Sequence, residues 1–166
     1  MRRSSWVVLG LIALLAVVLV YARTAGRPEL TDEEQIQAVL VKGQSAVERK
    51  DLKSVLSCIS RSYSDSAGLK FDTLRLQGAR AFQERGVYDV SLENVSMAVN
   101  GDRADGAVDV MLDLTSGGSR NRVYSGRMGL SLRKEESRHW LVIPVREWKV
   151  TEINGLSAVT GEAAGF

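Results

Sequence analysis

The hydrophobic and polar positions follow three different patterns along the chain. An uninterrupted apolar run comes first, apolar residues at helical spacing follow it, and apolar residues alternating with polar ones fill most of the second half. These patterns predict a membrane-spanning segment, then amphipathic helices, then β-strands.

The apolar run covers residues 4–22 and contains no charged residue. As a helix it would extend roughly 28 Å, close to the ~30 Å hydrocarbon core of a bilayer. Trp6 and Tyr21 lie near its two ends, where amphipathic rings favour the headgroup region. We therefore expect residues 1–23 to form a single-pass transmembrane anchor that holds the rest of the chain outside the cytoplasm. The alternative is a signal peptide cleaved after Ala22, but the run exceeds the usual apolar region of about 7–15 residues.

The first predicted helix of the domain follows a short linker, residues 24–30. It covers residues 32–49, and its start is indicated by Thr31 and Glu34, which have the spacing of a capping box. Apolar residues then recur at helical spacing along one side. The pattern is typical of a helix that buries one face against a core.

Two shorter helices are predicted next. Asp51 is a favourable N-cap residue, and residues 52–59 have one apolar stripe in which Cys58 is expected to be a small buried residue. The third helix is predicted over residues 71–85, with Gly86 as the C′ residue that ends it.

Four strands are predicted from the alternating half of the chain: residues 88–99, 103–114, 122–133 and 139–150. Asn100 and Gly101 are a strong signal for a two-residue hairpin turn, and a change of phase near Asn94 predicts a β-bulge. Polar segments at residues 115–121 and 134–138 are predicted to be turns.

Helices followed by antiparallel strands define an α+β domain, expected over residues 31–150. We expect three helices to pack on the concave face of a curved four-stranded sheet. Pro144 cannot donate a ladder hydrogen bond, so its strand is expected to lie at an edge or to contain a bulge. The Gly/Ala-rich tail, residues 151–166, is expected to be disordered.

Charge is unevenly distributed along the 166 residues, although the net charge is only +2. Four arginines flank the apolar run, where they can meet anionic lipid headgroups, and the rest of the chain has 18 Lys+Arg against 20 Asp+Glu. No basic patch interleaved with aromatic residues occurs, so nucleic-acid binding is not expected. Because Cys58 is the only cysteine, no disulfide can form within the chain.

The order of elements resembles the nuclear-transport-factor-two-like cone superfamily over residues 29–150. The segments that carry the resemblance are TDEEQIQAVLVKGQSAVERKD, DLKSVLSCIS, RSYSD and the Trp-containing last strand HWLVIPVREWKV. Members of that superfamily include isomerases, dehydratases, epoxide hydrolases and many non-catalytic binding or assembly domains. Some have one N-terminal membrane helix, among them an assembly factor of type four secretion machines. The resemblance therefore implies a fold but does not choose a function.

Tyr63, Asp65 and Tyr124 are the candidate residues of a speculative ligand pocket. Tyr63 and Asp65 occupy the part of the chain where the superfamily often has residues at a pocket mouth, and Tyr124 could present its hydroxyl to a cavity. The alternative for Asp65 is a turn residue that bonds local backbone, and for the tyrosines an amphipathic place in the core.

Other polar residues have plainer interpretations. Asp109 and Asp113 alternate with the apolar side of their strand, so they are expected to face solvent or a partner, where Arg127 and Arg133 could pair with them. The only histidine, His139, has no second candidate ligand near it. No metal, cofactor or catalytic residue is therefore expected.

The favoured function is a membrane-anchored, extracytoplasmic, non-catalytic domain that binds a ligand or partner protein, or forms a homodimer through its mixed charged sheet face. Two alternatives remain open. One is a small-molecule enzyme of the cone type that uses an acid or base among Tyr63, Asp65 and Tyr124. The other is a subunit of an envelope secretion or transport complex.

Overall fold

The helices come before the strands, as the sequence predicts. A computed structural model describes residues 30–139 and 143–155. The elements in these residues are α1 (Asp32–Glu48), α2 (Leu52–Ser57), α3 (Phe71–Ala81), β1 (Val87–Asn100), β2 (Arg103–Ser116), β3 (Ser119–His139) and β4 (Ile143–Asn154). The described residues from Asp32 onward belong to one compact unit.

The four strands form one antiparallel sheet in the order β1-β2-β3-β4. The α+β class is therefore confirmed. The bulge predicted near Asn94 lies between Glu93 and Ser96, and Asn94 has a φ of 47° there. The predicted hairpin is also confirmed, because Asn100 pairs with Arg103, but the two turn residues are Gly101 and Asp102 and Asn100 belongs to β1.

Local side-chain chemistry explains where the second helix begins. The Asp51 side chain accepts a hydrogen bond from Ser54 N at 3.1 Å, which satisfies an orphan donor of the first turn of α2. The third helix ends at Ala81, earlier than predicted, so Gly86 is not its C′ residue. Gly86 instead has a φ of 135°, and an added Cβ would lie 2.6 Å from the Thr115 carbonyl oxygen.

The predicted turn at residues 134–138 is wrong, because β3 continues through this charged segment to His139. Lys134 pairs with Trp148 in the ladder, its Nζ lies 5.4 Å from the Trp148 ring centroid, and it forms a 2.5 Å ion pair with Asp32. A charged side chain that has partners can remain in a strand. Charge alone therefore gave a false turn signal.

The other boundaries of the last strands also differ from prediction. The turn between β2 and β3 is only Gly117 and Gly118, shorter than the predicted 115–121. Strand β4 continues to Asn154, so the predicted disorder is wrong for residues 151–154, while residues 156–166 lie outside the described part. Pro144 lies in β4, which is an edge strand as predicted.

The core lies between the helices and one face of the sheet. Ile36 of α1, Tyr63 and Phe71 meet strand residues that include Leu132 and Trp148, and all five are at most 5% exposed. Full burial of such side chains stabilises the fold by roughly 1.5–3 kcal/mol each.

Helix α1 is hydrogen-bonded to strands at both edges of the sheet. Near its C-terminus, Gln44 Nε2 donates to the Val90 carbonyl oxygen of β1 at 2.7 Å. At its N-terminus, Asp32 Oδ1 accepts a hydrogen bond from Trp148 Nε1 of β4 at 3.4 Å. The first helix of the domain thereby connects its first and last strands.

The predicted anchor, including Trp6 and Tyr21, lies outside the described residues, as do residues 24–29 of the linker. Within residues 30–139 and 143–155, no helix is both long enough and apolar enough to cross a bilayer.

Candidate functional site

A cleft of about 980 Å³ lies between the short helices, the end of β3 and the middle of β4, and we call it the α2–α3 cleft. Its apolar wall consists of Leu52, Leu56, Ile59, Leu76 and Ala79. Gly78 of α3 allows α2 to approach, because an added Cβ there would lie only 3.0 Å from Leu52 Cδ1. The glycine that interrupts the apolar face of the third helix thus has a packing role.

Charged side chains surround this apolar wall. The basic ones are Lys42, Lys53, Arg61, Arg75 and Lys149, and the acidic ones are Glu135, Glu136 and Glu147. Glu147 and Lys149 pair with each other at 2.7 Å. Lys42 and Lys53 are exposed and have no ion-pair partner within the described part of the chain. The helical side of the cleft therefore has an excess of positive charge.

A buried serine fixes the position of Glu135 at the cleft. Ser60 is 1% exposed, and its hydroxyl donates to Glu135 Oε1 at 2.7 Å. Ser60 N donates to the Val150 carbonyl oxygen at 2.8 Å, which attaches the segment after α2 to the edge of β4. Arg133 also contacts the Glu135 carboxylate, at 2.9 Å. Glu135 thus has fixed donors before any ligand binds.

Tyr63 and Asp65, two of the predicted site residues, contact each other in the interior. The Tyr63 hydroxyl donates to Asp65 Oδ2 at 3.4 Å, and Leu69 N donates to Asp65 Oδ1 at 2.8 Å. Asp65 thus bonds the backbone of its own turn. Burial, followed by the charge of Asp65, raises the pKa of Tyr63 far above its ordinary value, so the phenol stays protonated.

Tyr124, the third predicted residue, is half-buried in β3. Its hydroxyl group lies over Gly126, where an added Cβ would be 2.9 Å from the hydroxyl oxygen. The residues that line the α2–α3 cleft do not include Tyr63, Asp65 or Tyr124.

Sequence reasoning missed the cleft because its wall and rim come from distant segments. Lys42, Lys53 and Arg75 lie on three different helices. The available signal was the exposed basic residue next to an apolar one in each short helix, as in Leu52-Lys53 and Arg75-Leu76. That arrangement is also common on any amphipathic helix, so it would not have been specific.

The sheet contains a second buried carboxylate, Asp113, which was predicted to face solvent or a partner and to pair with an arginine; it does pair with arginines, but with Arg120 and Arg122, and it is not exposed to solvent. Its side chain is only 4% exposed, because Arg122 lies 2.5 Å away and Arg120 2.7 Å away. Arg120 also reaches Asp89 at 2.8 Å. Hydrogen bonds from Arg122 are the largest cause of the lowered pKa of Asp113, and burial opposes them.

Of the other predicted ion pairs, one forms and one does not. Asp109 and Arg127 pair at 3.9 Å, as expected for cross-strand neighbours. Arg133 pairs with Glu135, not with Asp113. In the described residues, no group of three or more His, Cys, Asp and Glu side chains could hold a metal ion.

Comparisons with known proteins show similarity of structure. No protein-family model and no curated protein matches the chain. A proposed aromatic ring hydroxylase from Novosphingobium aromaticivorans has a TM-score of 0.61 and 19% identity, covering 77% of this chain and 90% of that one. A proposed NTF2-like dehydratase from Streptomyces avermitilis has a TM-score of 0.60 and 14% identity, covering 75% and 94%.

A nuclear transport factor 2 (NTF2-like) superfamily protein from Salmonella enterica gives a TM-score of 0.55 at 13% identity, covering 72% of this chain and 85% of that one. At such identities the similarity establishes the fold alone. The domain therefore has the NTF2-like, cystatin-like fold that its element order resembles.

Proposed function

We propose that this protein is a membrane-anchored, extracytoplasmic domain that binds a partner protein and does not catalyse a reaction. The observation that supports binding most is the α2–α3 cleft, with its apolar wall and charged rim. Protein-recognition surfaces commonly combine an apolar centre with a polar rim.

The state of the carboxylates supports binding over catalysis. A general base needs a carboxylate or imidazole that can reach the substrate proton. The buried carboxylates of the described residues, Asp65 and Asp113, already accept hydrogen bonds from fixed donors, and so does Glu135 at the cleft. We therefore expect the cleft to bind without chemistry.

The expected occupant is a segment of a partner protein that combines apolar side chains with carboxylates. Leu56 and Leu76 offer apolar contact, and Lys42 and Lys53 offer positive charge that no described residue neutralises. Complementary charge of this kind increases association rate and selects among partners.

Charge reversal in the cleft tests this role. Lys53→Glu and Arg75→Glu should each reduce recovery of the partner at least tenfold in cross-linking from detergent-solubilised membranes. Arg80→Glu is the matched control, because Arg80 is an exposed residue of the same helix as Arg75 but does not line the cleft. A partner that is retained equally by all three variants would reject the cleft as the binding site.

The anchor is tested by placing a charge in the apolar run. Leu14→Arg should move protein from the membrane pellet to the supernatant, since Arg at a helix centre costs roughly 2.5–3.5 kcal/mol on insertion. Leu14→Phe should remain in the pellet. Unprocessed wild-type protein in the detergent-free cytosolic supernatant would contradict the anchor, and a soluble product shortened by the apolar run would favour a cleaved signal peptide.

A cone-fold enzyme is the second candidate, favoured by the contact between Tyr63 and Asp65 in the interior. The similar structures described as a proposed hydroxylase and a proposed dehydratase are compatible with it. The test is turnover of small hydroxylated aromatic compounds by wild type, Tyr63→Phe and Asp65→Asn. Turnover that both substitutions abolish in folded protein would replace the binding proposal.

A further inference from the structure

Strand β1 is an edge strand, and only its first half is covered. Gln44 Nε2 donates to the Val90 carbonyl oxygen at 2.7 Å, and Val90 N donates to Glu48 Oε1 at 3.4 Å. Met97 lies seven residues further along the strand, roughly 23 Å from Val90. Within the described chain, the backbone of residues 96–100 forms no hydrogen bond beyond the β1–β2 ladder.

The opposite edge of the sheet is protected. Ser60 N donates to the Val150 carbonyl oxygen, Val150 N donates to the Cys58 carbonyl oxygen, and Ser64 N donates to the Thr151 carbonyl oxygen, so the segment after α2 covers part of β4. Natural sheets protect their edges with such cover or with charges and proline. Residues 94–100 of β1, NVSMAVN, contain no charge and no proline.

This uncovered segment reads almost the same in both directions. An antiparallel copy centred on Met97 would place Met97 opposite Met97 and Ser96 opposite Ala98 in the regular part of the strand, and would bring the bulge residues Asn94 and Val95 near Asn100 and Val99. The only unlike pair is Ser96 with Ala98, and both are small. A two-fold symmetric pairing therefore puts each side chain opposite an equal or similar one, with no like charges facing each other.

The backbone is also oriented for such a pairing. In a two-residue hairpin the residues next to the turn, here Asn100 and Arg103, form a hydrogen-bonded pair, and the pairs then alternate along the ladder. This alternation directs the N–H and C=O groups of Met97 and Val99 away from β2. Their side chains pack against the core, while Ala98 is exposed on the other face.

We propose that a second copy of this chain pairs with β1 through residues 94–100, antiparallel and centred on Met97. The four-stranded sheets of the two copies then form one continuous sheet. One strand pair buries less than the ~1,000 Å² of a stable interface, so the dimer is weak and depends on concentration. This surface is separate from the α2–α3 cleft and from the charged sheet face.

Cysteine pairs test the register directly. In the proposed dimer, residue 96 of one copy lies opposite residue 98 of the other in a non-hydrogen-bonded pair, about 4.5 Å apart between Cα atoms, which suits a disulfide. Oxidation of full-length Ser96→Cys/Ala98→Cys in membranes should give a covalent dimer on a non-reducing gel. Ser91→Cys/Glu93→Cys has the same spacing on the same strand and should give at least tenfold less.

A charge at the centre provides the second test. Met97→Lys should raise the dissociation constant in detergent at least tenfold, because two lysines would face each other, while Met97→Leu should leave it unchanged. Circular dichroism establishes that both variants are folded. Protein that is monomeric at all concentrations, a dimer unaffected by Met97→Lys, or equal cross-linking of the two cysteine pairs would each overturn the proposal.

Discussion

Asp113 illustrates how neighbours decide the environment of a single residue. Strict alternation along β2 predicts a solvent-facing carboxylate, but the ladder between β2 and β3 shifts between Leu112 and Asp113. Asp113 of β2 then lies opposite Arg122 of β3. Arg120, which is also in β3, covers the Asp113 carboxylate. Bulges commonly redirect side chains in this way, and two exposed guanidinium groups bury the carboxylate.

Replacement of this carboxylate should reduce stability at neutral pH. Asp113→Asn removes the charge that holds Arg120 and Arg122, so its free energy of unfolding should be below that of wild type at pH 7. The folded-state pKa of Asp113 is lowered, so its contribution is present above the unfolded pKa and is lost as the pH falls through the folded value. The difference between the two proteins in urea denaturation should therefore shrink below about pH 4.

Asp109→Asn is the control for this comparison. Asp109 lies on the same strand, but it is 36% exposed and 3.9 Å from Arg127, where screening by solvent weakens the pair. Its substitution should have a smaller effect at pH 7. Equal losses of unfolding free energy in the two variants would show that the ion pairs of the buried Asp113 contribute no more to stability than the exposed pair of Asp109 with Arg127.

At the scale of the elements, two glycines differ in how closely their surroundings are packed. An added Cβ at Gly43 of α1 would meet no atom within 4 Å. At Gly106 of β2 it would collide with the Ser96 carbonyl oxygen and lie 2.9 Å from Met97 Cα, both backbone atoms of β1. The same substitution should therefore have opposite effects at the two positions.

Gly43→Ala should stabilise the protein by roughly 0.5–1 kcal/mol, because alanine favours a helix interior over glycine. Gly106→Ala should destabilise it by about 1–3 kcal/mol, the usual cost of forcing atoms into a packed site. Thermal unfolding of both variants measures the two effects. A Gly106→Ala variant as stable as wild type would mean that β1 can move away from residue 106 of β2 without loss of unfolding free energy.

The sequence predicts elements well where local chemistry determines them. The Asp51 cap, the bulge near Asn94 and the hairpin that follows Asn100 all depend on residues within a few positions, and all are confirmed. The end of β3 was predicted as a turn, because Lys134 is stabilised in the strand by contacts with Asp32 and Trp148, which are distant in sequence.

The candidate site was less predictable than the fold. The cleft wall brings together residues such as Leu52 and Leu76, whose proximity depends on how α2 packs against α3 at Gly78. Tyr63 and Asp65 contact each other, but their burial depends on long-range packing, and neither residue lines the cleft. Sequence periodicity indicates which face of a helix is apolar, not which cavity that face will border.

At the scale of the whole molecule, Trp148 joins the two layers. It is 1% exposed, pairs with Lys134 in the sheet and donates a hydrogen bond to Asp32 of α1. A residue that contacts both layers should contribute to the stability of the entire domain.

Trp148→Ala should lower the free energy of unfolding by about 3–5 kcal/mol, the usual range for removal of a buried tryptophan. Urea denaturation followed by circular dichroism measures this loss. Val87→Ala is the control, because Val87 is 64% exposed on β1 and its truncation should have little effect. If only the helical circular dichroism signal were lost earlier and the signal of the sheet were unchanged, Trp148 would not join the two layers.

The bond between Asp32 and Trp148 spans 116 positions of the sequence. During synthesis, α1 leaves the ribosome long before β4 exists, so the nascent helix has to wait for the partner of its N-terminal end. The domain can complete its packing only after β4 has been synthesised, and fragments released earlier would keep the apolar face of α1 exposed to chaperones.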